Sequence, residues 1–292
     1  MSAAESIAGD ALARGVIARL SKYAKVMRVT LVERLTYRLD FLISTFLRFL
    51  PMLTTILLWQ AVFAGAEETD GSTKLSNFSF NEMIAYLLMV NISRMFSSMP
   101  GLAGGIAREI RDGTLKKYLI QPIDMLNYLV SYRVAHKISY IISSALPYAI
   151  LFFICRHFFQ GLVPTDPLVW LAFLASLIMA FLVGFYFEAS VGMVGFWFLE
   201  VTSILYIVMT VNFFVSGHMF PLDLLPQPWS TVLKWLPFQY MAYFPAAVFL
   251  GKVSGAALGW GLLLQLAWSV VFIVLSRWLF ARGLRRYSAF GG

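Results

Sequence analysis

Apolar positions run in long blocks separated by short charged or proline-rich interruptions. The blocks fall near residues 41–64, 80–107, 137–155, 167–187, 189–217 and 256–280, all close to or longer than the ~20 residues that a membrane-crossing helix needs. Ahead of them, Leu12, Val16, Leu20, Tyr23, Met27 and Leu31 recur every three or four residues, with Arg14, Lys22, Lys25 and Arg28 on the opposite side. That periodicity predicts an amphipathic helix within 10–40 whose basic face lies on a membrane surface. The stretch 167–217 is apolar almost throughout, and one helix of that length would extend about 75 Å, well beyond a bilayer. It must turn, and Glu188 is the expected solvated point. The second block carries Asn91, Arg94, Gly101, Gly104 and Gly105, a density of polar and small residues that predicts a helix packed among others.

Two interruptions stand out. In 108–122, Arg108, Arg111, Lys116 and Lys117 mix with Glu109 and Asp112, so the segment cannot lie in hydrocarbon. Gly113 permits a change of direction, Thr114 can cap the next helical run, and Pro122 closes the segment. A short surface helix over 115–120 is expected, with Leu115, Tyr118 and Leu119 on one side and Lys116 and Lys117 on another. The second interruption, 217–251, is apolar enough to enter a membrane, yet Pro221, Pro226, Pro228, Pro237 and Pro245 break it. Its Trp229, Trp235, Tyr240 and Tyr243 are aromatics suited to headgroup depth. Two short re-entrant or interfacial helices are expected there.

Composition fixes the class. Of 292 residues, 60% are hydrophobic and 13% charged, against about 25% charged in soluble chains. The chain is read as an all-α integral membrane protein, one transmembrane domain spanning 1–292. Orientation follows from the basic residues: with both termini in the cytosol, eighteen of the 23 Lys and Arg lie on that side. The net charge of +8 is then a topology determinant and does not imply nucleic acid.

Several familiar catalytic and metal-binding motifs are missing from the sequence. A single cysteine, Cys155, rules out a disulfide framework, and His136, His157 and His218 lack zinc-site spacing. No Gly-x-x-x-x-Gly-Lys-Ser/Thr loop, His-Glu-x-x-His or Gly-x-Ser-x-Gly occurs, so neither ATP hydrolysis by that device nor those proteolytic or hydrolytic sites are expected. No metal site is predicted. Polar groups within the blocks are candidates for a pathway or for helix packing: Arg94 and Glu200 as ionisable groups, Asn91 and Asn212 as interhelical hydrogen-bonding residues.

The run Glu109, Gly113-Thr114-Leu115, Leu119 and Pro122 resembles the cytosolic loop of ABC-2-type transporter permeases. Gly217, Phe220-Pro221, Leu225-Pro226 and Trp235-Leu236-Pro237 resemble the pattern before that family's last span, and Arg286–Gly291 resembles the tail of one bacterial branch. The resemblance implies six transmembrane helices, an N-terminal interfacial helix, a cytosolic coupling helix at 108–122 and extracellular re-entrant helices at 217–251. It implies that Glu109, Gly113, Thr114, Leu115, Tyr118 and Pro122 serve coupling to an ABC ATPase, and that Gly217, Phe220, Pro221, Pro226 and Pro237 belong to an extracellular gate. Two ATPase copies, holding ATP and Mg, would act with this chain and a second permease, identical or homologous, in the cytoplasmic membrane of a prokaryote. Catalytic residues and cofactors would then lie in the partner. Export of a hydrophobic or amphipathic substrate, such as a lipid, glycolipid or drug, is the expected function. The alternative is an ion- or proton-coupled secondary transporter acting alone, with Glu200 as its carboxylate.

Overall fold

The computed structural model describes residues 21–22, 24–25, 27–29, 32, 38–71, 74–198 and 200–287. The amphipathic helix expected within 10–40 and the tail after Tyr287 fall largely outside the described residues. In chain order the helices are α1 (Arg38–Asp70), α2 (Phe80–Ser97), α3 (Leu102–Arg111), α4 (Lys116–Leu119), α5 (Met125–Ile154), α6 (Pro167–Gly192), α7 (Thr202–Val215), α8 (Trp229–Trp235), α9 (Tyr243–Phe249) and α10 (Gly255–Tyr287). A two-stranded antiparallel ribbon, β1 (Lys74–Leu75) and β2 (Phe78–Ser79), joins α1 to α2. Among the described residues, four helical stretches are long and apolar enough to cross a membrane: Leu50–Glu68, Met125–Phe159, Pro167–Phe196 and Gly255–Tyr287.

The other two expected spans take a different form. Residues 80–107 are divided at Pro100 and Gly101, the glycine adopting φ +74° at the start of α3. Proline cannot continue the helix and glycine alone enters that left-handed region cheaply, so α2 and α3 are separate pieces. The break expected at Glu188 does not occur there. Helix α6 runs through Glu188 to Gly192, continues as a 3-10 turn Met193–Phe196, and gives way to α7 only at Thr202. Nothing local stops α6 at Glu188, because a single partly buried carboxylate leaves the backbone ladder intact. Glycines at 192 and 195 permit the departure instead.

The described chain divides into two compact units: residues 1–50 with 116–151, and residues 51–115 with 152–292. In the first, Asp124 accepts from the Asn127 backbone N–H at 2.8 Å as α5 begins. Tyr118 of α4 stacks obliquely on Tyr128, ring centroids 5.5 Å apart.

The second unit is organised on α6. Asp166 caps it by accepting from Leu168 N–H at 2.8 Å, with Pro167 at the first helical position. The helix is apolar on every side, as a helix surrounded by others should be, and α2, α3, α9 and α10 pack against it. Small residues make this possible. A Cβ on Gly192 would stand 2.6 Å from the Ala103 carbonyl oxygen, and one on Gly184 would overlap the Ser97 carbonyl. The backbones of α2 and α3 therefore lie directly on α6, the close approach that small residues provide in membranes. Helix α2 begins with a reciprocal cap: Ser79 accepts from Glu82 N–H at 3.3 Å, and Glu82 accepts from Ser79 N–H at 2.8 Å.

Candidate functional site

The end of α3 is shaped by one carbonyl. Glu109 O accepts from the Leu115 backbone N–H at 3.1 Å and from the Thr114 hydroxyl at 3.4 Å. Thr114 thus closes the preceding helix and does not cap the following one. Gly113, at φ +70°, supplies the reversal, which other residues adopt only with strain. Helix α4 is shorter than the 115–120 expected, four residues from Lys116 to Leu119.

Burial reassigns the faces of this segment. Leu115 is fully buried and Tyr118 nearly so, whereas Leu119 is 49% and Ile120 81% exposed. Lys116, Lys117, Gln121 and Pro122 are exposed alongside them. The exposed apolar groups of this segment are therefore Leu119 and Ile120. Leu115 and Tyr118, expected as anchors, are already enclosed by the chain itself. The sequence could not separate these cases, since four apolar residues in six positions fit either face.

The intramembrane polar candidates have different surroundings. Glu200, expected eleven residues into a fifth span, is exposed just before α7, where its carboxylate accepts from Thr202 N–H at 2.8 Å. Hydrogen bonds from the Thr202 side chain and backbone, with Arg111 near by, hold its carboxyl below the usual range. It is a capping residue of α7. Arg94 lies in the field of Glu188. Asn91 donates to Leu87 O at 2.8 Å within its own helix, not across helices. Asn212 is buried, and its Oδ1 has no hydrogen-bond partner among the described residues. Between α3 and α7, Gly104, Arg108, Arg111, Thr202 and Tyr206 line a cavity of about 260 Å³.

Residues 217–251 form a folded insert. Gly217 takes φ +77°, and a Cβ there would stand 2.7 Å from Tyr243 and 2.9 Å from the Tyr86 hydroxyl. The Tyr86 hydroxyl donates to Gly217 O, and Tyr243 N–H donates to Ser216 O at 3.0 Å. After the 3-10 turn Leu222–Leu224 come α8, a second 3-10 turn Pro237–Met241, and α9. Pro221 and Pro237 are buried, Phe220 is partly exposed, and Pro226 is exposed. The turn at 237–241 reaches well down the second unit: Ser97 Oγ donates to Met241 O at 2.6 Å, Gln265 Nε2 donates to Tyr240 O at 3.2 Å, and the Phe238 and Phe187 rings meet at 5.4 Å.

One carboxylate pins the pieces of the insert. Asp223 accepts from Lys234 of α8, from the Tyr243 hydroxyl of α9 at 2.6 Å, and through its carbonyl from Ser76 Oγ at 3.3 Å. Beside it, Lys252 pairs with Glu82 at 2.5 Å and donates to Asn77 O at 2.8 Å. These charges were not singled out from the sequence. The signal was there: Asp223 is the sole acid and Lys234 the sole Lys or Arg in 217–251, and lone charges in an apolar segment require partners.

A family model described as ABC-2 family transporter protein matches residues 49–291. The chain belongs to the ABC-2 transporter family. No curated protein matched the chain, so the assignment rests on that family model and the helical membrane architecture. The matched span holds the Gly113 corner, every helix from α2 to α10, and the insert. Membership makes this ABC-2 chain a membrane transport component, and its family implies an ABC ATPase as partner.

Proposed function

We propose that this ABC-2 protein is the permease subunit of an ATP-driven exporter, powered by a separate ATPase through the segment 108–122. The observation that carries the reading is the exposed ledge of Lys116, Lys117, Leu119 and Ile120 beyond the corner at Gly113. A large apolar residue 81% exposed between lysines and Gln121 fits a groove with a carboxylate rim on a partner. Leu119 and Ile120 would each contribute about 1.5–3 kcal/mol if fully buried there. The lysines would add less, being solvated. Glu109, Gly113 and Thr114 set the angle of the corner, and Pro122 ends the ledge. Because α3 lies backbone to backbone on α6 through Gly192, a push on the corner would move α6 and the elements packed around it.

In this cycle ATP and Mg would sit in two ATPase subunits. Two permease chains, identical or homologous, would enclose a pathway that opens alternately to the cytosol and outward, with both termini cytosolic in a prokaryotic inner membrane. The insert 217–251 would gate the exit. A hydrophobic or amphipathic cargo suits the sparse intramembrane charge. A proton-coupled transporter acting alone is the second reading; it would use a carboxylate within a span, and the bond of the Glu200 carboxylate to Thr202 N–H speaks for a capping role there.

The test is the double substitution Leu119→Asp with Ile120→Asp, expected to release the ATPase on co-purification or to leave hydrolysis without transport. Both side chains are solvated, so membrane insertion should be normal. Normal co-purification together with normal transport would overturn the coupling assignment. The purified chain alone is expected to hydrolyse no ATP.

A further inference from the structure

A cavity of about 320 Å³ opens beside the insert, within the range of about 300–1,000 Å³ that small-molecule sites occupy. Its polar wall holds Lys234, Lys252 and Asp223, and its apolar wall includes Trp235 and Trp260. Glu82, which pairs with Lys252, is not among the lining residues, so the surface facing the cavity carries two cations and one anion. An ammonium has three donors. Lys234 gives one to Asp223 and lies 5.3 Å from the Tyr243 ring centroid, while Lys252 gives one to Glu82 and one to Asn77 O and lies 4.7 Å from the Phe78 ring centroid, so each retains a donor not committed to an oxygen.

The surroundings select an amphiphile. Trp235 and Trp260 are each 56% exposed, and indoles of this kind sit where headgroups meet hydrocarbon. Along α10 from Trp260, Leu263, Leu266 and Val270 are also exposed and give an acyl chain a continuous apolar track. Lysine acts on phosphate as a point charge without demanding a fixed fork geometry, which suits a flexible headgroup.

We propose that this cavity binds the phosphate-bearing headgroup of an amphiphile whose chain lies along α10, with Lys234 and Lys252 as its cationic contacts. Asp223 is then an internal competitor: it occupies part of Lys234 and weakens the site by like charge. The assignment deepens the proposed export function, on which its role as a cargo site rests, by naming a ligand class. It is measured as binding without any ATPase, so failure of the coupling test leaves the binding standing, and absence of binding leaves the coupling reading standing.

The full chain would be placed in phosphatidylcholine nanodiscs containing a minor fraction of phosphatidylglycerol, and the lipid retained on release would be counted by native mass spectrometry. Wild type should retain phosphatidylglycerol in preference to phosphatidylcholine. Lys234→Gln with Lys252→Gln should lower that preference by at least about tenfold, since each basic residue near an anionic surface contributes on the order of 1 kcal/mol. Lys74→Gln, an exposed lysine in β1, should change nothing. Asp223→Asn should raise retention, a sign that a loosened fold does not produce. Should the double variant fail to insert, the sign for Asp223→Asn decides. Unchanged retention in the double variant, or a fall with Asp223→Asn, overturns the proposal. Displacement by millimolar glycerol 1-phosphate as effective as displacement by a lysophospholipid would overturn the amphiphile and assign the site to a soluble phosphate ester.

Discussion

The corner at Gly113 and the insert at 217–251 handle charge in opposite ways. Around the corner, Arg108, Arg111, Asp112, Lys116 and Lys117 are all exposed, and the ion pair formed by Arg111 with Asp112 is half-solvated. Such pairs are worth about 0–1 kcal/mol. In the insert, Asp223, Lys234 and Lys252 are partly enclosed, and each charge is tied to a neighbour on another element. The first arrangement leaves a surface free to engage and release something else. The second makes local movement conditional on exchanging one partner for another. The corner thus carries its charge outward, and the insert carries it inward, in pairs.

The helix that carries the corner, α3, is seated on α6, and the strongest way to break the contrast is at that seat. Gly192→Leu puts a branched side chain against the Ala103 backbone, which cannot yield as a side-chain tip could. Overpacking of this kind typically costs about 1–3 kcal/mol, occasionally more. The expected result is a large loss of folded protein by fluorescence-detected size exclusion. Wild-type yield and melting would show that α3 is not seated on α6.

A smaller effect comes from the insert itself. Asp223→Ala strands Lys234 and the Tyr243 hydroxyl, and unsatisfied polar groups cost about 1–3 kcal/mol, toward the lower end here because Lys234 is a third exposed. A lowered melting temperature in detergent is expected, whereas Asp112→Ala at the corner should stay within about 0.5 kcal/mol of wild type. Equal effects at the two sites would erase the difference between them.

The smallest expected effect concerns α7. Glu200→Ala removes the carboxylate that caps it, and the change should be confined to fraying of the first turn, read as faster amide exchange at 202–204. Because hydrogen bonding depresses this carboxyl's pKa, the cap is fully present above the ordinary carboxylate range and is lost as pH falls through the lowered value. Exchange at 202–204 should therefore rise at acid pH in wild type and lose that dependence in Glu200→Ala.

Helix positions were readable from the sequence wherever apolar length alone decided them, as for α6 and α10. The corner was readable too, since Gly113 among charges leaves few other conformations. What the sequence could not place were the breaks in apolar stretches. Glu188 looked like a turn because it is charged, yet one carboxylate does not stop a helix that has a basic side chain near by, and that side chain, Arg94, comes from a distant part of the chain. Likewise Leu115 and Leu119 are equivalent in sequence, and only the tertiary path decides which is covered. The Asp223 cluster joins residues far apart in the chain, Ser76, Asp223, Lys234 and Tyr243, and no local pattern announces it.

The length of α7 has a consequence for the surrounding bilayer. Fourteen residues rise about 21 Å, against a hydrocarbon thickness of about 30 Å. Tyr206, Ile207, Val211 and Phe214 are all well exposed along it, and acyl chains against that face would meet a helix too short for them. Hydrophobic mismatch of this size is relieved by local thinning or by neighbouring protein, at fractions of a kcal/mol per Å. The peptide groups at the two ends of α7 would otherwise face hydrocarbon unsatisfied, which is not tolerated. Were that face turned to lipid, shorter acyl chains should suit α7 and thicker membranes should press on it.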